Sequence, residues 1–93
     1  MALGFLWDAR KAAVNERKHG IGFPEATTVF DDPLSVTIPD PAHSVGEHRF
    51  LLLGMSKQRR LLVVAHADEG ESIRIISARR ANRRERRIYE EES

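Results

Sequence analysis

Arg74, Arg79, Arg80, Arg83, Arg84, Arg86 and Arg87 crowd seven of the chain's twelve arginines into fourteen consecutive positions. The 93-residue sequence carries a formal net charge of only +1, so this run is a local electropositive site in a nearly neutral molecule. A guanidinium is planar, always charged, and presents a fork of donors matched to phosphate or carboxylate. The segment therefore expects an anionic partner. Upstream, His66 stands in an apolar run, and Glu47 and Arg49 flank His48. An imidazole or carboxylate able to take the proton of a ribose 2'-hydroxyl, with guanidinium groups on the phosphate, is the outline of a phosphodiester-cleaving site. Arg74, Arg79, His66, Glu47 and Arg49 are its candidate members. Lys11, Lys18, Arg80, Arg83 and Arg84 could grip further phosphates, and Tyr89 could stack on a base or donate a hydrogen bond.

Other chemistries find less support. Cysteine is absent, which excludes disulfides and thiolate metal sites and fits a reducing cytoplasm. His43 and His48 with Asp40 and Glu47 have no recognised ligand spacing, so no metal or cofactor is expected. There is no glycine-rich phosphate loop and no serine nucleophile motif. No apolar run approaches the roughly 20 residues of a bilayer span, and the amino terminus lacks the pattern of a signal peptide. A cytoplasmic protein with no membrane partner is the expectation.

Ninety-three residues supply one core and no second, so residues 1–93 read as a single domain. Leu3 to Trp7 is a short apolar run able to pair as an edge strand. Asp8 then caps a helix from Ala9 to His19, closed by Gly20. Arg10, Lys11, Arg17 and Lys18 form a basic stripe on it, opposite Ala9, Ala12 and Ala13, with Glu16 among the alanines. A second helix opens at Phe23-Pro24 and runs to Phe30, before Asp32-Pro33 stops it. From Leu34 the period changes to that of strands: Leu34 to Ile38, Arg49 to Met55, Leu61 to Ala67 and Ser72 to Ala78, the last three close enough for an antiparallel meander. A polar loop from Pro39 to His48 separates the first two. Asn82 and Glu85 have capping-box spacing for a last helix running to about Glu91. Alternation puts His66 with Leu62 and Val64, and Arg74 with Ile76 and Ala78, on strand faces that could line one concavity. The expected fold is α+β: two amino-terminal helices, an antiparallel sheet of about four strands and a carboxy-terminal helix.

These residues carry a resemblance. Trp7-Asp8, Lys11, Asn15, Lys18-His19-Gly20-Ile21 with Phe23 and Ala26, and Phe30-Asp31-Asp32-Pro33 come first, followed by Glu47 and Arg49. Arg74-Ile75-Ile76-Ser77-Ala78-Arg79 with Ala81, Glu85-Arg86 and Tyr89 complete the series. In this order and spacing they resemble the BrnT family of ribonuclease toxins from bacterial type II toxin-antitoxin modules, over nearly the whole chain. The resemblance implies a RelE-like fold and metal-independent RNA cleavage that arrests translation. It implies neutralisation by a BrnA-type ribbon-helix-helix antitoxin, through which alone operator DNA is bound. It maps the family's motif arginines onto Arg74 and Arg79, and its carboxylate and neighbouring arginine onto Glu47 and Arg49. The chain departs from the family pattern at Ala67-Asp68-Glu69, where relatives often have Thr-Glu-Arg. A non-catalytic protein that binds RNA or antitoxin through the same arginine patch is the alternative.

Overall fold

The computed structural model describes residues 4–40 and 47–92. Leu3 and most of the polar loop, His43 included, lie outside the described residues. The elements are β1 (Gly4–Leu6), α1 (Ala9–His19), α2 (Phe23–Thr28) continued by a 3-10 turn (Val29–Asp31), β2 (Val36–Pro39), β3 (Arg49–Met55), β4 (Leu61–Glu69), β5 (Ser72–Arg80) and α3 (Arg83–Glu92). The fold is α+β, as expected, but the sheet is five-stranded and mixed. Its order is β1-β5-β4-β3-β2. β2 to β5 pair antiparallel, and β1 lies parallel to β5 with Leu6 opposite Arg74. A parallel partner requires a long return of the chain, and here everything from α1 to β4 provides it; local patterning carries no sign of such a pairing.

Local chemistry sets the ends of the helices. The Asp8 side chain accepts from the backbone N–H groups of Arg10 and Lys11, and Gly20 closes α1 in the left-handed region at φ 73°. At α3 the capping box is reciprocal: Asn82 Oδ1 accepts from the Glu85 N–H and Glu85 Oε1 from the Asn82 N–H, both at 2.8 Å.

Helix α1 does not dock through the expected alanine face. Ala12, Asn15 and His19 turn inward, whereas Ala9, Ala13 and Glu16 are exposed. The reason is Asn15, which replaces a strand neighbour for β5. Its Oδ1 accepts from Ala78 N–H at 3.1 Å, and its Nδ2 donates to Ala78 O at 2.9 Å and Ile21 O at 3.0 Å. A buried amide satisfied by three backbone groups fixes the helix against the strand edge more tightly than alanine contacts could.

Apolar clusters cover both faces of the sheet. On one, Ile21, Phe23, Ala26 and Val29 pack on Leu52, Leu62, Val64, Ile75 and Ala78. Gly54 permits this close approach, because a Cβ there would lie 2.8 Å from Val29 Cγ1. On the other, Leu53, Leu61 and Val63 lie under Ala81, Ile88 and Tyr89 of the α3 segment. Buried Glu25 at α2 accepts from Ser56 and forms an ion pair with Arg60, whose guanidinium holds the carboxyl below its usual range. That network ties α2 to the turn between β3 and β4. No helix among the described residues is long and apolar enough to cross a membrane.

Candidate RNA-cleaving face

The geometry of the second sheet face turns on one extra residue. Ala65 pairs with Ser77, but His66 pairs with Ile75, so Ile76 is a bulge on β5. Regular alternation would put Arg74 and Arg79, five positions apart, on opposite faces. With the bulge, Arg74 stands opposite Ala67 and Arg79 opposite Val63, two positions on the same face of β4. Arg49 stands opposite Ala67 from the β3 side. Three arginines from two strands thus rise on one face, with the small side chains of Ala65 and Ala67 between them. The consequence is a shallow groove of about 290 Å³, lined by Arg49, Leu51, Ala65, Ser77 and Arg79, with Asp40 at its edge.

Carboxylates hold these arginines. Arg74 Nη2 donates to both Glu47 oxygens, at 2.8 and 2.6 Å, and Arg49 Nε donates to Glu47 Oε1 at 3.1 Å. Arg74 Nε also lies 3.4 Å from Glu69 Oε1. Arg74 first, and Arg49 with it, keeps the Glu47 carboxyl below the usual carboxylate range. Arg79 forms a fork-to-fork pair with Glu85, two bonds of 2.8 Å, so one glutamate both caps α3 and steadies a site arginine. That pair raises Arg79 above its ordinary value and lowers Glu85.

The structure brings together Arg74, Arg79, Arg49 and Glu47, but not His66. The bulge that brings the arginines onto one face leaves His66 on the other, with Leu62 and Val64, so the expected convergence of His66 with Arg74 is corrected. The residue is 6% exposed, its ring 4.9 Å from the Phe30 ring and 5.9 Å from that of Phe50, with Nδ1 3.2 Å from Val64 O. Burial pushes its proton affinity down. Tyr89 is likewise engaged elsewhere: its ring packs on the Leu53 cluster and its hydroxyl donates to Asp32 Oδ2 at 2.7 Å. Burial and that carboxylate push the phenol up to about 12. Arg80 stands opposite Leu62 and so lies on the His66 face, near enough to Glu25 to help lower its carboxyl, which corrects its expected place beside Arg79. Arg83 and Arg84 are exposed at the start of α3, and Lys11 and Lys18 are exposed on α1.

Sequence reading missed Asp40 and Ser77 as groove residues, and missed the pairing of Glu85 with Arg79. Spacing in the sequence shows the cap at Glu85 but not a guanidinium folded back from the preceding strand. A second groove, of about 330 Å³, runs between α1 and β5 past Lys11, Val14 and Lys18, and shares Ile76 and Ser77 with the first.

The sequence matches, over residues 7–85, the family model described as the ribonuclease toxin, BrnT, of type II toxin-antitoxin system. No curated protein matches the chain. Among solved structures, it is similar to the Brucella abortus ribonuclease toxin BrnT, determined by crystallography at 1.1 Å resolution. The two are 21% identical with a TM-score of 0.68, over 88% of this chain and 100% of that one. At that identity the likeness speaks to the fold.

Proposed function

The chain belongs to the BrnT family of ribonuclease toxins of type II toxin-antitoxin systems, and we propose that it is a metal-independent endoribonuclease, held in check in the cytoplasm by a BrnA-type antitoxin. The observation that carries the reading is the bulge at Ile76, which puts Arg74 and Arg79 on one face beside Glu47 and Arg49.

In this reading the side chains of this face and solvent water carry the cleavage. The 2'-oxygen of a ribose attacks the adjacent phosphorus as Glu47 takes its proton. The bond from phosphorus to the 5'-oxygen breaks, that oxygen takes a proton from water, and the products are a 2',3'-cyclic phosphate and a 5'-hydroxyl. Arg74, Arg79 and Arg49 stabilise the charge that develops on the non-bridging oxygens. An arriving phosphate competes with Glu47 for the Arg74 donors. As the carboxylate loses that partner its proton affinity rises, so binding makes the base stronger. Lys11, Lys18, Arg83 and Arg84 hold flanking backbone, and the antitoxin, which alone carries the complex to operator DNA, covers the same cations.

One observation favours a second reading, binding without catalysis: the bidentate Glu85 pair occupies the donors of Arg79. The two separate in one experiment. Purified protein incubated with single-stranded RNA in EDTA should produce cyclic-phosphate or 3'-phosphate ends. Arg74→Ala and Arg79→Ala, folded by circular dichroism, should each slow cleavage by about 10²-fold or more, and Arg87→Ala far less. Products with 5'-phosphate, strict Mg²⁺ dependence, or three equal small effects would overturn the mechanism.

A further inference from the structure

We infer that the groove between α1 and β5 is a subsite for an unstacked nucleobase of the RNA, next to the phosphate being cleaved. The inference rests on the RNA-cleaving reading and adds to it a place where a base, rather than a phosphate, is held.

Its walls are apolar where the surrounding surface is charged. Val14 is 51% exposed on a helix whose other exposed side chains in this region are basic, and it faces Ile76 across the groove. Ile76 is the bulge residue, released from the regular ladder, so the irregularity that aligns the site arginines also builds this wall. At about 330 Å³ the groove falls at the lower end of the roughly 300–1,000 Å³ typical of small-ligand pockets.

The α1 rim is cationic. Arg10, Lys11 and Lys18 line the groove, and their side chains have no ion-pair or hydrogen-bond partner among the described residues. Arg74 and Arg79, by contrast, are both bound to carboxylates. An apolar slot bordered on the α1 side by cations without a partner among the described residues matches a nucleotide, which joins a flat, weakly solvated base to a phosphate. RNA bases in single strands are read in this splayed form. Polar selectivity has two sources: the Ser77 hydroxyl and the half-buried His19 ring can meet base edges as donors or acceptors. Asn15 is not a third, because both ends of its amide are used by Ala78 and Ile21.

Continuity fixes the position along the RNA. Ile76 and Ser77 line both grooves, so a base in this one belongs to a nucleotide beside the phosphate held by Arg79.

The test uses one oligoribonucleotide with a mapped cut and a series in which single bases flanking the cut are replaced by an abasic ribose. Wild type, Val14→Trp and Val14→Ala are compared. Trp fills the groove from an exposed helix position, and Ala shortens its wall with little effect on the helix. For wild type, one abasic position should raise KM about 10-fold, with kcat changed by less than about twofold. Val14→Trp should raise KM on intact RNA by a similar factor but add little on that abasic oligonucleotide, and Val14→Ala should fall between. If wild type cuts intact and every abasic RNA with the same KM, the subsite assignment fails and the RNA-cleaving face stands. If intact RNA is not cut, both fall. Unchanged RNA kinetics in Val14→Trp with weakened antitoxin binding would assign the groove to the antitoxin and overturn the inference.

Discussion

His66 separates what a residue type can do from what its position lets it do. An imidazole in an apolar strand is a reasonable general base on paper, and Leu62 and Val64 did mark the face it occupies. That face is the core, where burial lowers the ring's proton affinity. The sign of the resulting pH dependence follows directly. The folded-state pKa lies below that of the unfolded chain, so as pH falls through the ordinary histidine range near 6.5 the unfolded state takes up a proton first. Stability should therefore decline between about pH 7.5 and pH 5.5. The lowered carboxyls Glu25, Asp32, Glu47 and Glu85 act in the same direction but at lower pH: their contribution is complete above the ordinary carboxylate pKa and is lost only in stronger acid. Urea midpoints for wild type and His66→Phe at the two pH values check this. The variant should show a flatter dependence and keep RNA cleavage, since its ring lies across the sheet from the arginines. A loss of cleavage without loss of stability would return His66 to the site.

At the scale of elements, helix caps and strand runs were legible because their causes are local. Asp8, Gly20, Asn82 and Glu85 announced the ends of α1 and the start of α3, and β3 spans Arg49 to Met55 as read. β4 and β5 each extend two residues further, to Glu69 and Arg80, because pairing carries a strand past its apolar run. The second helix ends at Thr28 and tightens into a 3-10 turn, where Gly54 lets it sit close on β3. The bulge was not legible. Nothing in Ile75-Ile76-Ser77 differs from an ordinary strand, and the irregularity exists only in the register against β4. Counting by twos therefore put Arg74 on the wrong face: the candidate residues could be named from their types, but which of them meet could not. The α1 docking face was missed for a related reason, since Asn15 reads as a surface residue until β5 supplies its partners. Asn15→Ala would leave Ala78 N–H and two carbonyls unpaired in the interior, at a cost of about 3 kcal/mol. Asn82→Ala, losing an exposed cap, should cost about 1 kcal/mol. Denaturant midpoints measure both, and equal effects would mean that the Asn15 amide is not what fixes α1 to β5.

For the whole molecule, a net charge of +1 conceals a division of cations into two kinds. Arg49, Arg74 and Arg79 are held by internal carboxylates, while Arg10, Lys11 and Lys18 border the adjoining groove without partners among the described residues. In the proposed function the first kind receives one phosphate in exchange for a carboxylate; the second draws in any polyanion. Family membership implies a protein antitoxin, and an acidic segment of it would meet the free cations first, for the same electrostatic reason that RNA would. Both ligands should then compete for one surface, and a few desolvated arginine contacts can supply most of the affinity of either. Phosphate contacts release counterions, so the apparent affinity for single-stranded RNA should fall with salt by a log–log slope of about −0.7 per phosphate engaged. Saturating antitoxin should abolish cleavage, and RNA should displace antitoxin best at low salt, where its own binding gains most. Titrating antitoxin into a cleavage assay at two salt concentrations reads both effects. A ternary complex that cut RNA at the full rate would place the antitoxin on a separate surface, leaving the cations of α1 to serve RNA alone.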